Sequence, residues 1–347
     1  MRTTRVGRRA GALAAGLACL MALAACGGEA EAEKSDGATT AQATDEFPVT
    51  VKHQFGKTVI EKAPKRVATW GWGSTEAAIA AGVFPVAVGE QVWTVGKGKL
   101  LPWVEEAYDA ADVAHPTVLP DPEAGATVPY AEFIKARPDL IVAPYSGLTE
   151  EQYKTLSDIA PVVAPADGPW TTSWDDTIRV TAKALGRTEA GKEVLDEIDH
   201  YLQDEAAQHP EFEGKTLAGI WAAPTGLSVY TARDPRVGIL TRLGFDIAPS
   251  VEELDTSKGG FYYDMTWEKA DELASDVVVS YHNTDAEAAA LAKDKRALAV
   301  PAVKAGHVAQ VVGPVNVSAV SPPTALSFKW EQGMPALIDE LAEAVKP

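Results

Sequence analysis

The stretch "PKRVATWGWGSTEAAIAAGVFPVAVG", residues 64–89, decides the fold class. Residues 65–69, "KRVAT", read as a strand, and "STEAAIAAG" after them reads as a helix with Ser74 or Thr75 as its cap. "FPVAVGE", residues 84–90, reads as a second strand. Strand, helix and strand in succession are the pattern of an α/β protein. Between the first two elements stand Trp70 and Trp72 around Gly71, two large rings at a turn where loops meet water.

The alternation continues outward from this stretch. "YAEFIKARPDLIVAPYS" gives a helix, then Pro138-Asp139, then a buried strand over 140–143. "TEEQYKTLSDIAPVVAP" repeats the order, with a helix over 150–159 and a strand over 162–164. In "TEAGKEVLDEIDHYLQDEAAQH", Val194, Leu195, Ile198 and Leu202 fall at helical spacing, and no Gly or Pro interrupts after Gly191. At 1.5 Å per residue that helix is about 30 Å long, the diameter of a small domain. The α/β pattern then restarts: strand "TLAGIWAA", helix "DPRVGILTRLG", helix "TWEKADELA", strand "DVVVSYH", helix "DAEAAALAKDKRAL", strand "HVAQVV" and a closing helix "MPALIDELAEAV". The organisation expected is an α/β lobe over 47–186, a linking helix over 187–210 and a second α/β lobe over 211–347.

The amino-terminal segment sets the compartment. Arg2, Arg5, Arg8 and Arg9 precede an apolar run, which fits a secretory signal over 1–25. The run ends in "LAAC", which resembles the lipobox of bacterial lipoproteins. That resemblance implies acylation at Cys26 and a lipid-anchored protein on the extracytoplasmic face of the cell membrane. Residues 26–46 hold no large apolar side chain before Phe47, so a disordered tether is expected there, spanning roughly 25 Å.

Of the two cysteines, Cys19 leaves with the signal, and no disulfide or thiol nucleophile remains in the body. The four arginines lost with the signal leave 27 basic residues against 49 acidic, a net charge of −22. That balance excludes a nucleic-acid partner and favours neutral or cationic ligands. The six histidines, His53, His115, His200, His209, His282 and His307, form no metal-ligand spacing, so no direct metal site and no cofactor are expected. "GWGST" matches neither a nucleophile elbow nor a phosphate-cradling loop, and the chain does not read as an enzyme.

The order of these elements resembles the helix-linked substrate-binding proteins of bacterial ABC importers, the class that takes up iron-siderophore complexes, haem and cobalamin. The resemblance rests on residues 64–89, on "IKARPDLIVAP" followed by "LSDIAPVVA", on "TWEKADELASDVVVS", and on "AVKAGHVAQV" and "SPPTALSF". It implies two Rossmann-like lobes joined by one long rigid helix, with ligand held between the lobes at the carboxyl ends of the strands. It further implies a monomer that hands its ligand to ABC permease subunits through an acidic side chain on each lobe. Glu268 matches the second-lobe position. On the first lobe the matching position is Ala131, with Glu132 one residue away and Glu76 a second candidate.

The aromatic residues at strand ends then become ligand-binding candidates: Trp72, Trp93, Tyr145 and Trp170 in the first lobe, and Trp221, Tyr230, Tyr262 and Tyr281 in the second. Arg233 is a candidate donor to iron-bound oxygens, and His282 sits at a cleft position. Trp70 is expected in the core, and Trp103, Trp174 and Trp267 as packing residues. With Lys97, Lys99 and Lys258 the only other cations near these loops, the cleft suits a neutral or cationic ferric hydroxamate such as a ferrioxamine better than an anionic tris-catecholate. Haem, cobalamin and bare metal ions stand as alternative ligands.

Overall fold

Residues 41–123 and 125–346 are described by a computed structural model. The expected signal, Cys26 and the tether as far as residue 40 lie outside the described residues. The last tether residues, 41–46, are held against the body. Ala41 N–H donates to the Gly82 carbonyl (3.1 Å), Thr44 N–H donates to the Gly186 carbonyl (2.8 Å), and the Asp45 carboxylate accepts Thr188 N–H (3.1 Å). Composition gave no sign of this, because the anchoring uses backbone groups that every residue carries.

The first lobe opens with an antiparallel hairpin, β1 (Val49–His53) and β2 (Gly56–Ile60). Then follow β3 (Val67–Thr69), α1 (Ser74–Ala80), β4 (Ala87–Gly89), α2 (Val92–Val95), α3 (Pro102–Ala110) and β5 (Thr117–Leu119). The lobe closes with α4 (Tyr130–Ala136), β6 (Leu140–Val142), α5 (Glu150–Ser157), β7 (Val162–Val163) and α6 (Trp174–Ala184). Five strands form a parallel sheet in the order β5-β4-β3-β6-β7. The central strands are buried on both faces, which is why they read as unbroken apolar runs.

The cap of α1 differs from expectation. Gly73 occupies the N-cap with φ +72° and no side-chain cap. Both hydroxyls have other partners: Ser74 Oγ donates to the Trp70 carbonyl (3.3 Å), and Thr75 Oγ1 meets Thr69 Oγ1 (2.7 Å).

The linking helix, α7 (Thr188–Gln208), buries Gly191, Leu195, Ile198 and Leu202 along one face. Gly191 admits α6 closely, since a Cβ there would lie 2.3 Å from Ala182 Cβ.

The second lobe contains β8 (Thr216–Ala223), β9 (Gly226–Tyr230), α8 (Pro235–Gly238), β10 (Asp246–Ile247), α9 (Pro249–Glu253) and β11 (Tyr262–Thr266). It continues with β12 (Val277–His282), α10 (Asp285–Leu291), α11 (Pro301–Ala305), β13 (Val308–Val312), α12 (Pro314–Val320) and α13 (Met334–Ala344). Its sheet runs β11-β9-β8-β12-β13, with β10 also beside β8. The β8-β9 and β9-β11 pairs are antiparallel and the others parallel. The expected helix over "TWEKADELA" is a 3-10 segment, Trp267–Glu272, in which Ala270 alone is buried. It has no apolar stripe to hold a longer helix. The helix expected over "DPRVGILTRLG" is α8 followed by a 3-10 turn, Ile239–Leu243, ended by Gly244 at φ +102°.

Two apolar cores run from lobe to lobe. One joins Ala77, Trp174 and Ile178 through Leu195, Ile198 and Leu202 of α7 to Leu217, Val279 and Tyr281. The other packs Ile79, Trp103 and Tyr108 against Ala319 of α12. Beside the second, Thr94 Oγ1 and Ser318 Oγ form a buried hydrogen bond of 2.6 Å. The architecture is two Rossmann-like α/β lobes with α7 between them, and Trp93 after β4 meets Trp221 of β8 and Asn283 after β12 across the cleft between the lobes.

Candidate functional site

From β3 the chain crosses to β4 on one side, and from β6 it crosses to β7 on the other. The switch point between β3 and β6 is where an open α/β sheet forms its crevice. The loops after these two strands meet there. Gly71 has φ +78°, and Trp72 N–H donates to the Tyr145 carbonyl (3.0 Å). A Cβ at position 71 would lie 2.3 Å from that oxygen, so the contact needs glycine. Of the two tryptophans in "WGWG", Trp70 turns into the core and meets Phe133 edge-on at 5.8 Å. Trp72 is half-buried and lines a cavity with Trp93.

From Trp72 a chain of rings runs across the cleft. Its indole is nearly parallel to that of Trp93 (centroids 6.5 Å apart, planes at 7°) and edge-on to that of Trp170 (6.3 Å). Trp170 in turn meets Tyr145 at 5.6 Å. Trp93 reaches the other lobe, with its ring 6.1 Å from Trp221 and its Nε1 donating to Asn283 Oδ1 (3.1 Å). Trp170 holds φ +60°, a costly conformation for a bulky residue. Its N–H donation to the Ser146 carbonyl (3.1 Å) and the packing of its indole on Gly147 oppose that cost.

Beside Trp72 and Trp93 lies a cavity of about 270 Å³ lined also by Glu90, Asp121 and Glu123. Glu90 accepts the N–H groups of Gly98 (2.5 Å) and Asp121 (3.1 Å), which fixes the loops after β4 and β5. Burial raises the Asp121 carboxyl pKa, against the N–H bond from Gly125.

The second lobe supplies a buried arginine. Arg236 Cζ lies 3.9 Å from the Tyr230 ring centroid and 5.4 Å from that of Tyr281. Its Nε donates to Asp234 Oδ1 (2.8 Å), and its backbone N–H donates to the same oxygen (2.9 Å). Tyr145 of the first lobe is buried, and the charges of Asp234 and Arg236 act on its hydroxyl. Burial, the largest cause, raises the pKa of all three tyrosine hydroxyls. It also raises the Asp234 carboxyl, with Arg236 pulling the other way. Burial opposes the charge on Arg236, but Asp234 and the tyrosines outweigh it and the guanidinium stays protonated.

Seven of the sequence candidates are thus brought together: Trp72, Trp93, Tyr145, Trp170, Trp221, Tyr230 and Tyr281. Tyr262 sits on the exposed edge strand opposite Tyr230. Arg233 is exposed beside Gly259, and the arginine within the tyrosine group is Arg236. His282 points away from Tyr281, because side chains alternate along β12. Its Nε2 pairs with Ser280 Oγ (2.9 Å), and burial lowers its pKa.

Glu76 is buried and accepts Trp103 Nε1–H (3.0 Å), so it is no surface charge. Glu268 is exposed, while Glu132 is half-exposed and paired with Lys135 (3.6 Å). Sequence reading missed Arg236, Asp234 and Asn283. The run "DPR" carried a usable signal, since Asp before Pro starts a helix and places the residue after Pro at the second helical position, where its N–H reaches the cap. Among the described residues, no group of three or more His, Cys, Asp or Glu side chains is placed to hold a metal ion.

The chain was compared with known proteins. The probable siderophore-binding lipoprotein YfiY of Bacillus subtilis is 28% identical over 232 residues, which span 66% of this chain and 65% of that protein. The iron-uptake ABC transporter substrate-binding protein PiaA of Streptococcus pneumoniae superposes with a TM-score of 0.75 at 30% identity, covering 86% of this chain and 99% of PiaA. The PiaA complex with ferrichrome gives 0.77 at 31% identity, with 86% and 98% covered. These relatives are binding proteins, not enzymes. The periplasmic binding protein family model matches residues 67–311, and the chain belongs to that family.

Proposed function

We propose that this protein captures a ferric siderophore of the hydroxamate type in the cleft between its lobes and delivers it to an ABC importer. The observation that carries the reading is the aromatic chain from Tyr145 through Trp170, Trp72 and Trp93 to Trp221, with Arg236 buried among Tyr230 and Tyr281. Ring faces suit the organic shell of a chelate, and a guanidinium suits iron-bound oxygens. The chelator fills the metal's coordination sphere, so the protein needs no metal ligands of its own. Glu90, Asp121 and Glu123 beside the indoles favour a neutral or cationic complex over an anionic one. The likeness to PiaA bound to ferrichrome, a ferric trihydroxamate, supports the same choice.

Delivery would use Glu268 on the second lobe and Glu132 on the first as contacts for permease arginines. The Glu132–Lys135 pair is partly exposed and holds its carboxylate only weakly. Cys26 would carry the lipid that keeps the protein at the outer face of the membrane.

The test is a titration followed by tryptophan fluorescence, adding ferrichrome, ferrioxamine B, haem, cobalamin and free Fe³⁺ in turn. Saturable quenching by a ferric hydroxamate at submicromolar concentration supports the reading. A response confined to haem, cobalamin or the bare ion rejects it.

A further inference from the structure

We propose that Asp234 sets the charge of ligand that the cleft accepts: by cancelling Arg236 inside the tyrosine cluster, it admits a neutral or cationic ferric complex and turns away an anionic one. This rests on the reading of the cleft as a ferric-siderophore site.

Asp234 is 1% exposed and caps α8, a helix of only four residues. A cap needs one acceptor oxygen, which Ser, Thr or Asn supplies without a charge. Asp234 instead buries an ionisable carboxyl group against a guanidinium. Its Oδ1 takes both Arg236 bonds, and its Oδ2 is enclosed with no hydrogen-bond partner. The Tyr281 hydroxyl is likewise enclosed without a partner. A helix start alone does not call for an ionisable group paired with a buried guanidinium. The arrangement makes sense if the charge itself is required.

An unpaired arginine in this low-dielectric setting would draw anions strongly. Paired with Asp234 through Nε, it keeps donors for short-range hydrogen bonds and loses its long-range field. The other cations on these loops, Lys97, Lys99, Arg233 and Lys258, are exposed, where water and salt screen them. Glu90, Asp121 and Glu123 of the first lobe line the cavity beside Trp72 and Trp93. With Asp234 in place, the buried guanidinium is paired within the cluster.

The experiment measures dissociation constants of the full protein for ferrichrome and for a ferric tris-catecholate, at low and moderate salt. It uses the wild type, Asp234→Asn, Asp234→Ser, Arg236→Gln and the double variant Asp234→Asn/Arg236→Gln. Asp234→Ser keeps a capping hydroxyl, and thermal melts confirm that each variant folds. The wild type is expected to prefer ferrichrome. Both Asp234 variants should shift the ratio toward the tris-catecholate by at least about tenfold at low salt and less as salt rises. The double variant should return the ratio to that of the wild type, which a purely structural role for Asp234 would not produce. A ratio that stays within about twofold in both Asp234 variants overturns the proposal, as does wild-type protein that binds both complexes equally. Wild-type protein that binds neither complex removes the siderophore reading itself, and the inference with it.

Discussion

Nε1 of Trp93 donates to Oδ1 of Asn283 at 3.1 Å, and this bond crosses from the first lobe to the second. Asn283 is itself fixed, with its N–H donating to Glu287 Oε2 (2.7 Å). The same indole lies along Trp72 and against Trp221, so one side chain closes the rim of the cleft on both lobes. Replacing Asn283 with Ala removes the acceptor and leaves the rings. A partly exposed hydrogen bond contributes about 0.5–1.5 kcal/mol, so ligand release should quicken by about 2–10-fold with little change in the melting temperature. Stopped-flow displacement checks this, and an unchanged release rate would show that the bond does not hold the rim.

Trp170 separates binding from stability. Its φ of +60° costs about 1–3 kcal/mol, which glycine would not incur. Trp170→Gly should therefore melt higher than Trp170→Ala, although glycine is ordinarily the more destabilising choice. Both variants lose the ring between Trp72 and Tyr145, and both should bind ligand about tenfold more weakly. If the alanine variant is the more stable of the two, the strain account fails.

Glu76 is a buried carboxyl whose pKa burial raises above the ordinary 4.5, with the Trp103 bond working against the shift. The folded protein then holds this proton to higher pH than the unfolded chain does. The contribution to stability is fully present below the unfolded value and is lost as pH rises through the folded one. Glu76→Gln keeps an acceptor for Trp103 and removes the charge. It should melt higher than wild type at about pH 8, with the gap shrinking toward about pH 5. A gap that widens on acidification would contradict this sign.

The fold was legible because its signals are local and repeated. The run of 64–89 and the helical spacing of Leu195, Ile198 and Leu202 report burial directly. The antiparallel strands β9 and β11 were not read, since "GLSVY" and "YYDMT" are short and lie among glycines. The tryptophans that follow strands, Trp72, Trp93, Trp170 and Trp221, stood out in the sequence, and the structure brings their rings into contact. Arg233 stood out over Arg236 because both lie near one helix start, and only the turn at Pro235 decides which faces Tyr230. His282 lies on the other face of β12 from Tyr281 for a similar reason: one residue along a strand reverses the face, and sequence does not say which face the cleft occupies.

The central claim is that the protein grips the outside of a preformed ferric chelate. Anomalous diffraction at the iron edge, on crystals grown with ferrioxamine B or ferrichrome, tests it most directly. The account predicts one iron between the rings of Trp72, Trp93 and Trp170 and the guanidinium of Arg236, with chelator oxygens filling its coordination sphere. Iron bonded to protein side chains, or located outside the cleft, would contradict it.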